Sequence, residues 1–254
     1  MDDSLRFSLL LADRKAHEPV ALAKALAAAR KTPLQDQMVF SKSCWGIVAE
    51  NLGQEEVQSL KVSLGPTGIQ TIVCPSASLA SLPKAETANT LQLLSVAKPV
   101  LIAAAAVTIT STTTKQVKEG PSTADKVVSA GIFLATGLPN KIGGKERTIE
   151  KTQHHSDLAF YLDVLYKNPF RRLRVDAQSF DYSFLKERKL YQVMGNFKLL
   201  VGDLVKGTPE AWQNHGTRVL LEGKPIQTMG YGTLADLERE TRWLLTLQQL
   251  GLSI

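Results

Sequence analysis

Cysteine is scarce in this chain: only Cys44 and Cys74 occur in 254 residues. Two thiols cannot frame a disulfide-stapled fold or a structural zinc site, which draws on about four ligands. Each lies inside an apolar stretch ("SKSCWGIV", "TIVCP") and reads as a buried free thiol in a reducing compartment. Long apolar runs are missing too. The longest, "PVLIAAAAVTI" at 99–109, falls short of the ~20 residues of a membrane-crossing helix. The opening "MDDSLRFSLLLADRK" is acidic, with too short an apolar core for a secretory signal. The expectation is a soluble, cytoplasmic protein without membrane insertion. Catalytic signatures are absent as well. There is no glycine–any–serine–any–glycine elbow, and "KIGGKER" at 141–147 lacks the spacing of a P-loop or dinucleotide fingerprint. No catalytic, cofactor-binding or metal-ligating residue is assigned, no cofactor is expected, and an enzyme is the less favoured class.

What is present is ordinary globular material, 44% hydrophobic and 21% charged. The net charge of +6 is unevenly placed. Residues 1–95 hold nine basic and nine acidic side chains, and residues 96–254 hold twenty-one against fifteen. This asymmetry, with the proline-bounded, small-residue stretch at 76–99, suggests two domains: a small α/β module at 1–95 and an α+β domain with a basic surface at 98–254.

The small module reads as strand, helix, strand, helix, strand. Residues 5–12 form a strongly apolar strand. Residues 18–31 form an alanine-rich helix with Pro19 in its first turn and Leu22, Ala25, Leu26 and Ala29 at helical spacing. A strand at 44–50 follows, then a helix carrying Val57, Leu60 and Leu64 on one face and stopped by Gly65–Pro66, then a strand at 69–75. The run "GIVAENLGQEEVQSLKVSLGPTGIQTIV", residues 46–73, resembles the C-terminal domain of the bacterial ribosomal stalk protein. That resemblance implies a ferredoxin-like α/β fold. It implies no functional residue, because the stalk domain's lysine-rich recruiting helix is replaced here by "VALAKALAAARK". A short helix is expected at 86–94.

The second domain reads as α+β, with a β-hairpin and long amphipathic helices. It opens with a strand (or, given its alanines, a helix) at 100–110, then a polar crossing at 111–120. A helix follows at 121–139, with a Ser122/Asp125 capping box, and then a loop at 140–157. A hairpin is centred on Lys167-Asn168-Pro169. A helix at 186–206 carries Leu190, Val193, Met194, Phe197, Leu200, Val201 and Leu204 at i, i+3, i+4, i+7. A short hairpin, "TRVLLEG" with "KPIQTMG", precedes a final helix with a Thr233/Asp236 capping box.

Three features bear on function. His154, His155 and Asp157 sit in "KTQHHSD". Adjacent histidines diverge and no second cluster completes a ligand set, so a polar loop is expected, with an unrecognised enzyme site as an alternative. Lys141, Lys145, Arg147, Arg172, Arg174, Arg188 and Lys189 form a candidate cationic patch for anion or nucleic-acid contact. Strand alternation puts Arg172, Arg174 and Asp176 on the face opposite Leu173, Val175 and Ala177. Trp243, Leu244, Leu247 and Leu250 make the last helix apolar around much of its circumference, and Gly195 and Gly202 lie opposite the apolar stripe of theirs. These six are candidate interaction residues. The leading expectation is therefore a non-enzymatic binding or assembly protein working through protein contacts or self-association, as a homo-oligomer. A nucleic-acid-associated protein is the alternative.

Overall fold

A computed structural model describes residues 5–13, 19–94, 97–119 and 147–252, with backbone alone over 110–119 and 147–156. Strand β1, Phe7–Leu11, has no solvent face: Ser8, Leu9, Leu10 and Leu11 are all buried. Its continuous apolar sequence is that of a strand covered on both sides. It is the centre of a three-stranded sheet, flanked by antiparallel β2 (Ile47–Leu52) and β3 (Thr71–Pro75). A ferredoxin-like sheet carries four strands; this one has three. Helices α1 (Pro19–Arg30) and α3 (Gln54–Leu64) bury the expected Leu22, Ala25 and Leu26, and Val57, Leu60 and Leu64. Glu56 accepts the Gly53 N–H at 2.8 Å to cap α3. Between them lies α2, Leu34–Lys42, which the sequence pattern does not mark, because Leu34 and Val39 are exposed and break the apolar period.

The second sheet has the order β4–β7–β6–β5–β8, from Ala85–Thr87, Arg171–Asp176, Arg147–Tyr166, Pro99–Glu119 and Trp212–Gln213 respectively. The β6–β7 hairpin is antiparallel, pairing Tyr166 with Arg171 and Asp163 with Arg174. The short edge strands β4 and β8 run parallel to β7 and β5. Side chains alternate between two hydrophobic clusters. Leu101 and Leu165 join the cluster of the small sheet, whereas Ile102, Val164, Leu173, Val175 and Ala177 pack with α5 (Val193–Gly207) and α6 (His215–Glu222). The last helix, α7 (Leu234–Gln249), gives Leu237 to the second cluster and Trp243, Leu244, Leu245 and Leu247 to the first.

The α+β class holds, while several boundaries move. Residues 1–108 and 158–254 form one compact unit and 109–157 another, so the boundary placed near residue 97 falls inside a unit. The physical reason is that β1 needs α7 to cover it. The stretch at 86–94 divides into part of β4 and the single turn α4, Leu91–Leu94. The crossing at 111–120 and much of the loop at 140–157 are instead strand, as β5 and β6 continue to Glu119 and from Arg147. The helix at 121–139, with Ser122 and Asp125, lies outside the described residues. The helix expected from 186 begins at Val193 and follows a 3₁₀ segment, Ser183–Arg188. Asn196 fixes that entry by accepting from Leu190 N–H (2.7 Å) and donating to Leu190 C=O (2.8 Å). The hairpin expected at "TRVLLEG" is helix α6. Asn214 caps it by accepting from Thr217 N–H at 2.9 Å, and Gly223 closes it at φ +71°.

Candidate functional site

The hairpin arginines lie on the face that strand alternation predicts, but that face is not an open cationic surface. Arg172, 3% exposed, donates to Asp163 Oδ2 through Nε (2.9 Å) and Nη2 (2.5 Å), and to Glu238 Oε1 at 2.9 Å. Arg174 donates to both Asp163 oxygens (2.7 and 2.9 Å) and to Glu238 (3.1 Å). Two guanidiniums thus meet two carboxylates, one of them, Asp163, fully buried. Burial works to raise the Glu238 pKa, yet the bonds from Arg172 and Arg174 hold it below its ordinary value. These arginines stabilise the hairpin against α7 and are not available to a phosphate chain. Arg188 is paired with Asp203 at 2.7 Å. Lys189 is exposed; Lys141 and Lys145 lie outside the described residues, and Arg147 is described by backbone alone.

The candidate interaction residues are also spent within the chain. Trp243, Leu244 and Leu247 are at most 5% exposed, and Trp243 Nε1 donates to Leu11 C=O at 2.9 Å. Leu250 alone keeps 39% exposure. A Cβ at Gly195 would stand 2.6 Å from Leu190 Cδ1, and one at Gly202 would touch Leu221, so both glycines face neighbouring segments of the same chain. His154 and His155 occupy successive positions of β6, and Asp157 is exposed at its own position in that strand. Among the described residues, no group of three or more His, Cys, Asp or Glu could hold a metal, and no helix is long and apolar enough to cross a membrane.

The residues that do converge were not singled out from the sequence. Asn214, fully buried, locks the start of α6 onto β5: Oδ1 accepts from Ala104 N–H (3.0 Å) and Nδ2 donates to Ala104 C=O (3.0 Å). Gly216 is required beside it, since a Cβ there would lie 2.0 Å from Ala104 C=O. Asn214 Nδ2 and Gly216 N–H both donate to Tyr231 Oη, at 2.8 and 3.1 Å, and Tyr231 donates to Glu240 Oε2. Glu240 Oε1 accepts from His215 N–H at 2.9 Å. This carboxyl is 3% exposed. Burial therefore raises its pKa above the ordinary 4.5, although Tyr231 and the His215 amide pull the other way.

Glu240 forms part of the wall of a cavity of about 200 Å³, shared with Leu11, Ser41, Trp45, His215, Met229 and Trp243. Trp45 stacks on Tyr231, with centroids 4.3 Å apart and planes 19° from parallel. Its backbone is left-handed (φ +43°), as is that of Gly46 (φ +88°), whose missing Cβ leaves room for the Trp243 indole. Such backbone costs of order 1–3 kcal/mol for a bulky residue and collects at binding sites. Ser41 Oγ and Trp45 Nε1, atoms of two lining residues, are closed to solvent and have no protein partner among the described residues. His215 is tied down, its Nε2 2.9 Å from Thr228 C=O.

A signal for this site exists in the sequence. Glu240 falls on the stripe Leu237–Glu240–Leu244–Leu247 that buries α7, so a carboxylate stands where helical spacing demands an apolar residue. Nothing comparable marks Ser41 or Trp45. No protein-family model, curated protein or solved structure matches the chain.

Proposed function

We propose that the chain is a non-enzymatic binding protein whose ligand enters the cavity walled by Ser41, Trp45, Met229 and Glu240. The observation that carries this reading is the cavity itself, about 200 Å³ and lined by Leu11, Trp45, Met229 and Trp243, beside the left-handed backbone of Trp45. Binding is favoured over catalysis because, among the described residues, Ser41 Oγ has no base to activate it. The neighbouring Cys44 thiol, pushed up to about 11 by burial, is no nucleophile either. Buried free thiols at Cys44 and Cys74 suit a reducing cytoplasmic setting. Assembly through α7 is not part of this reading, since its apolar side chains already fill the chain's own core.

The test is a ligand-observed NMR screen of fragment-sized molecules against the native chain and Ser41→Leu, whose side chain fills the cavity. Hits that bind the native protein and are lost in the variant support the reading. A screen in which every hit binds both proteins alike refutes it.

A further inference from the structure

A second cavity, independent of the first, lies where the turn of the β6–β7 hairpin meets the end of α7, and we propose that it binds a small monocarboxylate with an apolar body. It measures about 350 Å³ and is lined by Val100, Lys167, Phe170, Leu245, Gln248 and Gln249. That volume falls at the lower end of small-molecule sites, ~300–1,000 Å³. A cavity of ~150 Å³ holds benzene, so this one takes on the order of a dozen non-hydrogen atoms, the size of a free acid of medium chain length. Its apolar part comes from Val100, Leu245 and Phe170. Phe170 is 46% exposed, aromatic surface that an occupant would cover.

The polar part decides the charge. None of the six lining residues is acidic, and Lys167, exposed, is their one cation. The Lys167 ammonium and the side-chain amides of Gln248 and Gln249 are bonded to no other group among the described residues. A lysine beside the last turn of a helix commonly caps its free carbonyls. Here that turn is closed by the backbone: Thr246, Leu247 and Gln248 C=O accept from Leu250, Leu252 and Gly251 N–H at 3.0, 3.1 and 3.1 Å. Lys167 is left as a donor with no acceptor. Ammonium and primary amides all donate hydrogen bonds, and a carboxylate only accepts them. One positive charge offsets one negative charge, which favours a monoanion over a phosphate dianion. A cationic ligand would meet Lys167 as a like charge.

Octanoate, octanol and octylammonium share a chain and differ in head group. Their dissociation constants, and that of butanoate, are measured by NMR titration below the concentrations at which the probes self-associate. The full chain, Lys167→Gln and Lys167→Arg are compared, with thermal melts confirming the fold. Octanoate is expected to bind about fivefold tighter than octanol, an advantage lost in Lys167→Gln and kept in Lys167→Arg. It should also bind at least about tenfold tighter than butanoate, and the Gln248 and Gln249 side-chain amide resonances should shift. Octanoate no tighter than octanol, an advantage that survives Lys167→Gln, or a preference for octylammonium overturns the proposal. Butanoate binding as well as octanoate reduces the site to a surface ion pair and overturns it too. So does failure of octanoate to bind, or shifts confined to the cavity of Trp45 and Met229. None of these results bears on whether that first cavity takes a ligand of its own.

Discussion

Replacing Leu247 with alanine asks whether the apolar end of α7 is core or contact surface. Leu247 is fully buried in the cluster that contains Leu9, Leu10, Ile47 and Trp243. Deleting its isopropyl group leaves a cavity in that cluster, and such truncations cost about 2–5 kcal/mol. For a unit of this size that lowers Tm by roughly 5–15 °C. Leu250, three residues on, is 39% exposed, and its alanine variant should cost no more than about 1 kcal/mol. Paired urea and thermal unfolding curves, with native mass measured alongside, separate the two readings. A core role predicts a large stability loss for Leu247→Ala, a small one for Leu250→Ala, and an unchanged mass for both. Equal small losses with a changed mass would refute the placement of α7 and restore it as an assembly surface.

Residues 1–95 expressed alone should fail to fold cooperatively. They lack Leu101, Leu165, Trp243, Leu244, Leu245 and Leu247, whose burial contributes on the order of 10 kcal/mol, as much as the whole stability of a typical domain; a sigmoidal urea transition for the fragment would contradict this. Arg172→Ala leaves the fully buried Asp163 with one guanidinium instead of two and should destabilise by about 3–5 kcal/mol, measurable by the same curves. Glu240 has a folded pKa above its ordinary 4.5, so its contribution is complete below about that pH and fades as pH rises through the folded value. The stability difference between the native protein and Glu240→Gln should therefore shift against the native protein as pH rises from about 4.5, and a flat difference would count against it.

What the sequence reveals here is whatever is settled locally. The α7 cap is visible as Thr233 and Asp236 because both partners lie within one turn, and Asp236 accepts the Thr233 N–H at 2.9 Å. β1, α1 and α3 are visible because their apolar residues keep one period. α6 is hidden because its apolar Val219-Leu220-Leu221 triplet reads equally as strand, and only the Asn214 cap and Gly223 decide for helix. β5 and β6 are underestimated because their polar continuations, rich in threonine and charge, match a crossing or a loop in composition. For the hairpin arginines the alternation was legible, and so was Asp163 opposite Arg174. Glu238 was not, since it reaches them from a helix 64 residues beyond Arg174.

The polar groups buried beside the cavity fall into two sets. Asn214, Tyr231 and Glu240 bond to one another and to the backbone of β5 and α6. Such a saturated network fixes how those elements meet and leaves nothing for a ligand to do. Ser41 Oγ and Trp45 Nε1 are fixed just as firmly, by α2 and by the stack on Tyr231, yet have no partner among the described residues.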